Sequence, residues 1–125
     1  MGRLGFIAGD RDETDAGISR AFSAAQLPTA VIACSTVLAA AALRHIQQRA
    51  LRMPEDIAFA TFDGFAYGEL FEPQLTTVRQ PAFEVGATAA QLLARRIADK
   101  SVEPSTVRLA PTIEYRASTS AGPSS

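Results

Sequence analysis

Apolar and polar residues follow one another along this chain in blocks that predict strands separated by helices. Short apolar runs at 3–9, 29–34 and 57–62 predict buried strands. Between and after them, apolar residues recur every three or four positions, which predicts helices. We place these helices at about 14–26, 35–50 and 82–98. Strands that alternate with helices predict an α/β fold with a mostly parallel sheet flanked by helices.

The last third of the chain carries weaker strand signals. Residues 76–78 predict a short strand, and the alternation over 106–115 predicts one or two more. Small polar residues over 118–125 predict a flexible tail. We expect the domain to span residues 1–119, with 120–125 wholly in the tail.

Composition limits the function classes. The 125 residues are 47% hydrophobic, which suits one domain with its own core. Twelve basic and thirteen acidic residues give a net charge of −1, so the chain alone is not expected to bind DNA or an anionic membrane. A single cysteine excludes an internal disulfide. Without a leader or an apolar run of about 18 residues, a cytoplasmic protein is expected.

One carboxylate stands where α/β proteins bind ligands. Asp63 directly follows the apolar run 57–62, and ligands sit at the carboxyl edge of parallel sheets. Its alternative role is to cap the loop after the strand. Ser35 and Thr36 begin the second helix, where a hydroxyl can cap free N–H groups, contact a ligand, or do both.

Other reactive side chains have simpler explanations. Cys34 is predicted to be a small buried apolar group, and His45 to be a solvated or interface side chain within a helix. The acidic cluster at 10–15 suits a helix start better than a cation site. The sequence has no glycine-rich phosphate loop, nucleophile elbow or metal-ligand spacing, so we expect no enzyme activity, catalytic residue, cofactor or metal.

A phospho-acceptor receiver domain is a rival class, because Asp10, Asp12 and Asp63 are spaced like its acidic residues. It would need a lysine after a late strand. The chain's lysine, Lys100, follows a helix instead, which disfavours this class.

Several motifs occur in the order found in one family. They are the helix start at 34–36, the turn at 50–57, Phe-Asp at 62–63, Leu-Thr-Thr-Val-Arg-Gln-Pro at 75–81 and Glu-Tyr-Arg-Ala-Ser-Thr at 114–119. Together they resemble the carboxyl-terminal subdomain of the LacI/GalR family of bacterial transcription regulators. The resemblance covers about residues 10–119.

The resemblance implies one lobe of a periplasmic-binding-protein-like type I fold. It also implies a truncated protein without the helix-turn-helix and the amino-terminal lobe, on which helix 82–98 would pack. DNA would then be bound only through domains absent from this chain. The expected function is to bind an effector, a sugar or related small molecule, and to dimerise. A fragment of a periplasmic sugar-binding protein is the alternative.

The same resemblance assigns candidate ligand contacts. Asp63 matches the carboxylate that accepts hydrogen bonds from effector hydroxyls. Ser35 and Thr36 stand where the family usually has Asn and Asp, and Gln80 lies at the crossover near the cleft. Arg11 stands where an aromatic ring often stacks on a sugar, so a guanidinium there would suit an anionic or more polar effector.

A homodimer is also implied. In the family, the second lobe pairs through the helix matching 35–50 and the loop matching 67–71. In this chain those elements offer Ala40, Leu43 and Phe71. The apolar face of 83–97 adds a second surface that would favour self-association if it were left in water.

Overall fold

The computed structural model describes residues 11–23, 27–62 and 68–120, with side chains from residue 15 onward in the first of these stretches. Three α-helices, four strands and two single-turn 3-10 helices lie within these ranges. They are α1 Arg11–Ser23, β1 Ala30–Ala33, α2 Thr36–Gln48, β2 Ala58–Phe62, β3 Thr76–Arg79, α3 Ala82–Ala98 and β4 Thr112–Glu114, with 3-10 turns at Gly68–Leu70 and Ala117–Thr119.

The strands form one sheet in the order β1-β2-β3-β4. β1 pairs with β2 in parallel, with Ala30 opposite Ala58, and β2 pairs with β3 in parallel, with Ala60 opposite Thr76. The two parallel pairs, of which β1 and β2 are joined through α2, confirm the predicted α/β fold with a mostly parallel sheet. The predicted strand at 3–9 lies outside the described residues.

The chain divides into two compact units. The first comprises Met1–Val78 and Ile113–Ser125, and the second comprises Arg79–Thr112. α1, β1, α2 and β2 belong to the first unit, and α3 belongs to the second. The chain therefore passes between the units twice, once at the end of β3 and once at the start of β4.

The core of the first unit lies between α1, α2 and one face of the sheet. Phe59 and Ile57 are fully buried, and α2 approaches the sheet through small side chains, of which Ala39 is fully buried. Each large apolar side chain removed from water contributes about 1.5–3 kcal/mol. The other core members are Ile18, Phe22, Ala33, Ala41, Ala42, Ile46 and Leu75.

α1 and α2 are also joined at their carboxyl ends. The guanidinium of Arg49 donates to the carbonyl of Phe22 and, at 3.4 Å, to Oγ of Ser23. The ring of Phe22 stacks on His45, with ring centroids 5.7 Å apart. A cation that donates to the last carbonyls of a helix satisfies groups without an intrahelical partner. His45 is thus a packing residue between the two helices.

Ala50, just after the end of α2, has a strained backbone conformation that glycine would adopt more easily. Ala50 has a φ of 51°, in the left-handed region. Its N–H donates to the carbonyl of Gln47 at 3.0 Å, and the N–H of Leu51 donates to that of Ile46 at 3.1 Å. This pair of bonds is the Schellman ending, in which glycine usually takes the left-handed position. An alanine there costs about 1–2 kcal/mol.

The turn that follows α2 is closed by an ion pair. Nε and Nη2 of Arg52 donate to the two carboxylate oxygens of Asp56 at 2.9 and 2.8 Å. The backbone N–H of Arg52 donates to the same carboxylate at 2.8 Å. These hydrogen bonds lower the pKa of Asp56 to about 2, and the arginine side chain makes the largest contribution. The turn therefore keeps its charge pair down to strongly acidic pH.

Ser118 ties the end of the chain to the middle of the sheet. It is fully buried, its hydroxyl donates to the carbonyl of Phe59 at 2.6 Å, and it accepts from the N–H of Thr76 at 2.8 Å. Its own N–H donates to the carbonyl of Gln74 at 2.9 Å. The prediction that the flexible tail begins at Ser118 is therefore wrong.

The predicted strand region 106–115 is also shorter than expected. In this region only Thr112–Glu114 forms a strand, and residues 103–111 are exposed and belong to no helix or strand. Pro111 offers one reason, because proline has no N–H to donate to a sheet. By contrast, helix 82–98 is confirmed with the bounds predicted for it.

We predict that Ser118→Ala lowers the free energy of unfolding by about 2–3 kcal/mol, because it leaves a buried carbonyl and a buried N–H without a partner. Urea denaturation followed by circular dichroism measures the change. Ser120→Ala is the matched control, since that exposed hydroxyl makes one 3.3 Å bond to the carbonyl of Arg116; it should cost under about 0.5 kcal/mol. Equal stability of the two variants would contradict the role of Ser118.

Candidate functional site

The candidate site lies at the carboxyl edge of the parallel strands. β1 and β2 run in the same direction, so the residues that follow them emerge at one edge. Cys34 and Ser35 follow β1 in the structure. Asp63 is the next residue in the chain after β2, but it lies outside the described residues. Gln80 follows β3 and belongs to the second unit.

Ser35 is the best-defined side chain of this edge. Its backbone is extended, and its Oγ accepts from the N–H of Leu38 at 3.3 Å, as an N-cap does. Its carbonyl accepts the first helical bond, from Ala39, at 2.9 Å. A serine hydroxyl that accepts in the cap still carries a proton to donate outward. Because Ser35 is exposed, that donor can reach a ligand.

The start of α2 favours electron-rich ligand atoms. The first turn of this helix contains no acidic side chain, so the partial positive charge of its N-terminus is not neutralised there. Thr36, the first helical residue, is exposed beside the cap and adds a second hydroxyl. Hydroxyl, carbonyl or carboxylate oxygens of a ligand would all be stabilised at this position.

Cys34 is exposed, and the prediction of a buried apolar cysteine is wrong. The last paired residue of β1 is Ala33, opposite Thr61, and it is buried. Cys34 comes one residue later, beyond the sheet's paired region. The sequence contained the signal, because a residue next to an N-cap serine has already left the strand. A free thiol is therefore available at this edge.

The structure describes the remaining predicted contacts only in part. Arg11 is the first residue of α1, and its side chain lies outside the described part. Gln80 is exposed, and its carbonyl accepts from the N–H of Ala82 at 2.9 Å, at the start of α3. The described residues thus position Ser35 and Thr36 together and leave Asp63, Gln80 and Arg11 as sequence-based candidates.

The residues predicted for dimerisation differ in exposure. Ala40 is exposed on α2, while Leu43 is half-buried and packs against the core. Phe71 follows the 3-10 turn Gly68–Leu70 and is 36% exposed. Large apolar side chains are exposed on α3 as well: Phe83, Val85, Leu93 and Ile97.

Among residues 11–23, 27–62 and 68–120, no group of three or more His, Cys, Asp or Glu side chains could hold a metal ion. Within the same stretches, every helix is too short or too polar to cross a membrane.

Comparison with known sequences adds a family. Residues 4–119 match the family model for a periplasmic binding protein-like domain. The HTH-type transcriptional repressor PurR of Aliivibrio fischeri is 40% identical over 93 residues. That alignment covers 74% of this chain and 28% of the repressor, so the chain spans little more than a quarter of this curated relative.

Solved structures agree with the sequence comparison. A transcriptional regulator of the LacI family from Sanguibacter keddieii superposes with a TM-score of 0.78 and 32% identity, covering 91% of this chain and 43% of that one. The transcriptional regulator CelR in complex with cellobiose superposes with a TM-score of 0.75 and 32% identity, covering 86% and 33% respectively.

We predict that Ser35→Ala costs about 1 kcal/mol of stability, because α2 loses its capping acceptor, whereas Ser35→Asp stays within a few tenths of the original. Asp caps as well as Ser does and also complements the helix dipole. Thermal or urea unfolding measures both variants, and Ser105→Ala, in the exposed segment before β4, serves as a neutral control. If Ser35→Ala matched this control, the hydroxyl would have no capping role.

Proposed function

We propose that this chain, which belongs to the periplasmic binding protein-like family, forms the effector-binding and dimerisation part of a LacI-type transcriptional regulator. The main support is the parallel sheet, whose carboxyl edge presents the exposed Ser35 hydroxyl at the start of α2. Asp63 is the next residue in the chain after β2. The proposed role is binding rather than catalysis. A regulator of this kind would work in the cytoplasm.

The proposed effector is a small polyhydroxylated molecule such as a sugar. Asp63 would supply two acceptor oxygens, which can hold two neighbouring hydroxyls at once. Ser35 would donate one hydrogen bond, and the unneutralised start of α2 would attract an oxygen atom. Gln80 and Arg11 would add polar contacts. The cellobiose held by the related CelR regulator supports this ligand class.

In a two-lobed fold, the residues of this chain would form one wall of the cleft. We propose that the apolar face of α3 packs against the other lobe, because Phe83 is 84% exposed and Ile97 is 72% exposed. Effector binding between lobes would favour one relative orientation of the lobes and so alter DNA binding by a separate domain. With a net charge of −1, this chain would not bind DNA by itself.

We predict that the 125-residue chain binds sugars with millimolar rather than micromolar affinity. A micromolar Kd corresponds to a net binding free energy of about −8 kcal/mol. Half of the contacts, set against the full entropy cost of holding the ligand, leave no more than about −4 kcal/mol, which is a Kd of about 1 mM or weaker. Titration with cellobiose and a panel of monosaccharides, followed by two-dimensional NMR, should shift the amide signals of residues 34–36. Asp63→Ala should abolish these shifts.

A matched control for this titration is Asp99→Ala, which removes a carboxylate from the segment after α3. It should leave the sugar-induced shifts unchanged. Absence of any shift at 34–36 with every sugar in the panel would contradict the proposed ligand class, and tight binding that survives Asp63→Ala would contradict the proposed site.

We further propose that the chain forms a homodimer through α2 and the segment around Phe71. Ala40 leaves room for close approach of a second helix, and Leu43 and Phe71 supply apolar area. The exposed apolar side chains of α3 add to the tendency to associate, because apolar surface left in water costs about 25 cal/mol per Å².

We predict that sedimentation equilibrium gives at least twice the monomer mass of 13.2 kDa at micromolar concentration. Leu43→Asp or Phe71→Asp should lower this mass, because a charge in an apolar interface has no partner. The control is Val107→Asp, which changes an exposed side chain between α3 and β4 and should leave the mass unchanged. A monomer at all concentrations, or equal loss in all three variants, would contradict the proposed interface.

A further inference from the structure

Arg116 connects β3 and β4 near the points where the chain passes between its two units. Its Nη1 donates to the carbonyl of Leu75 at 2.8 Å and to Oγ1 of Thr77 at 3.2 Å. Its Nη2 donates to a carboxylate oxygen of Glu114 at 2.5 Å. Thr77 belongs to β3 and Glu114 is the last residue of β4. One planar guanidinium thus holds both strands, which a single-point lysine charge could not do in the same geometry.

The backbone of Arg116 is fastened to the same strand. Its N–H donates to Oγ1 of Thr76 at 2.9 Å, and this hydroxyl lies 2.5 Å from Oγ1 of Thr119. The two side chains are also largely shielded from solvent. Only 20% of the Arg116 side chain and 30% of the Glu114 side chain are exposed. Gly68 lies close to the guanidinium, because a Cβ at this position would stand 3.2 Å from Nη1 of Arg116.

All of these residues belong to the first unit, yet they stand beside both connections to the second. The outgoing connection runs from Val78 to Arg79, one residue after Thr77, and the return connection runs from Thr112 to Ile113, one residue before Glu114. Motion between two compact units is absorbed by a few residues at the ends of their connecting elements. Contacts that fix both strands there restrict such motion.

We propose that Arg116 is a positioning residue that clamps β3 to β4 and thereby limits the movement of the second unit relative to the first. The guanidinium holds residues at the start of β3 and at the end of β4 together within the first unit, beside both passages of the chain to the second. This role depends on no particular effector and would operate in the free protein.

Distances between spin labels test the clamp directly. Cys34 is the chain's one cysteine and is exposed in the first unit, and Gln91→Cys adds a second site on the exposed surface of α3. Nitroxide labels at both sites report the distance distribution between the units by double electron–electron resonance. An excess of unlabelled chain keeps the measured distances within one molecule.

We expect Arg116→Met to widen this distribution at least twofold in protein that circular dichroism shows to be folded. Arg116→Lys should give an intermediate width, because an ammonium keeps the charge but not the planar fork. A loss of stability alone would lower the folded fraction and leave the width of the distribution in the folded protein unchanged. If the chain with the original Arg116 already gave a distance distribution as wide as that of Arg116→Met, the proposal would be overturned.

Arg52→Met is the matched control, because it breaks an arginine–carboxylate pair of the same first unit that touches neither connection. It should leave the width unchanged, and an equal widening would refute a specific role for Arg116. If Arg116→Met does not fold, Arg116→Lys and Glu114→Gln decide: widening in both supports the clamp, and an unchanged width in both rejects it.

Discussion

The sheet of this protein depends on the hydroxyl of one buried serine. Ser118 donates to the carbonyl of Phe59 and accepts from the N–H of Thr76, so it connects β2 with β3 through a side chain that arrives from the far end of the sequence. Because both groups are buried, neither could turn to water instead. This contact therefore reinforces the start of the parallel pairing between β2 and β3.

The elements that the sequence predicted well are those whose signals are local. Helix 82–98 has the predicted bounds because apolar spacing, a preceding proline and a following aspartate all lie within its own segment. β1 and β2 were placed within one residue at most ends, because buried parallel strands are continuous apolar runs. The capping role of Ser35 was predicted for the same reason, since its partner lies three residues away.

The roles of Ser118 and Arg116 were not predicted, and the physical cause is different. Small polar residues near a chain end usually indicate a flexible tail. The residues around Ser118 carry no local signal of its hydrogen bonds to Thr76 and Phe59, which lie 42 and 59 residues away in the sequence. Arg116 is similar: its contacts with Leu75 and Thr77 exist only after the sheet has formed. Of the candidate site, the sequence gives Asp63 by its place after β2, whereas contacts across a cleft depend on long-range geometry that no local pattern contains.

Most of the stabilising contacts of Ser118 and Arg116 lie near the beginnings of β2 and β3, whereas the candidate ligand residues follow the ends of β1 and β2. Ser35 and Asp63 follow strands that end at the other edge. Substitutions at one edge can therefore accumulate with little effect on the other, since distant sites contribute almost additively. Such a division would let the ligand-contacting edge of the sheet change while the contacts that hold its strands together stay the same.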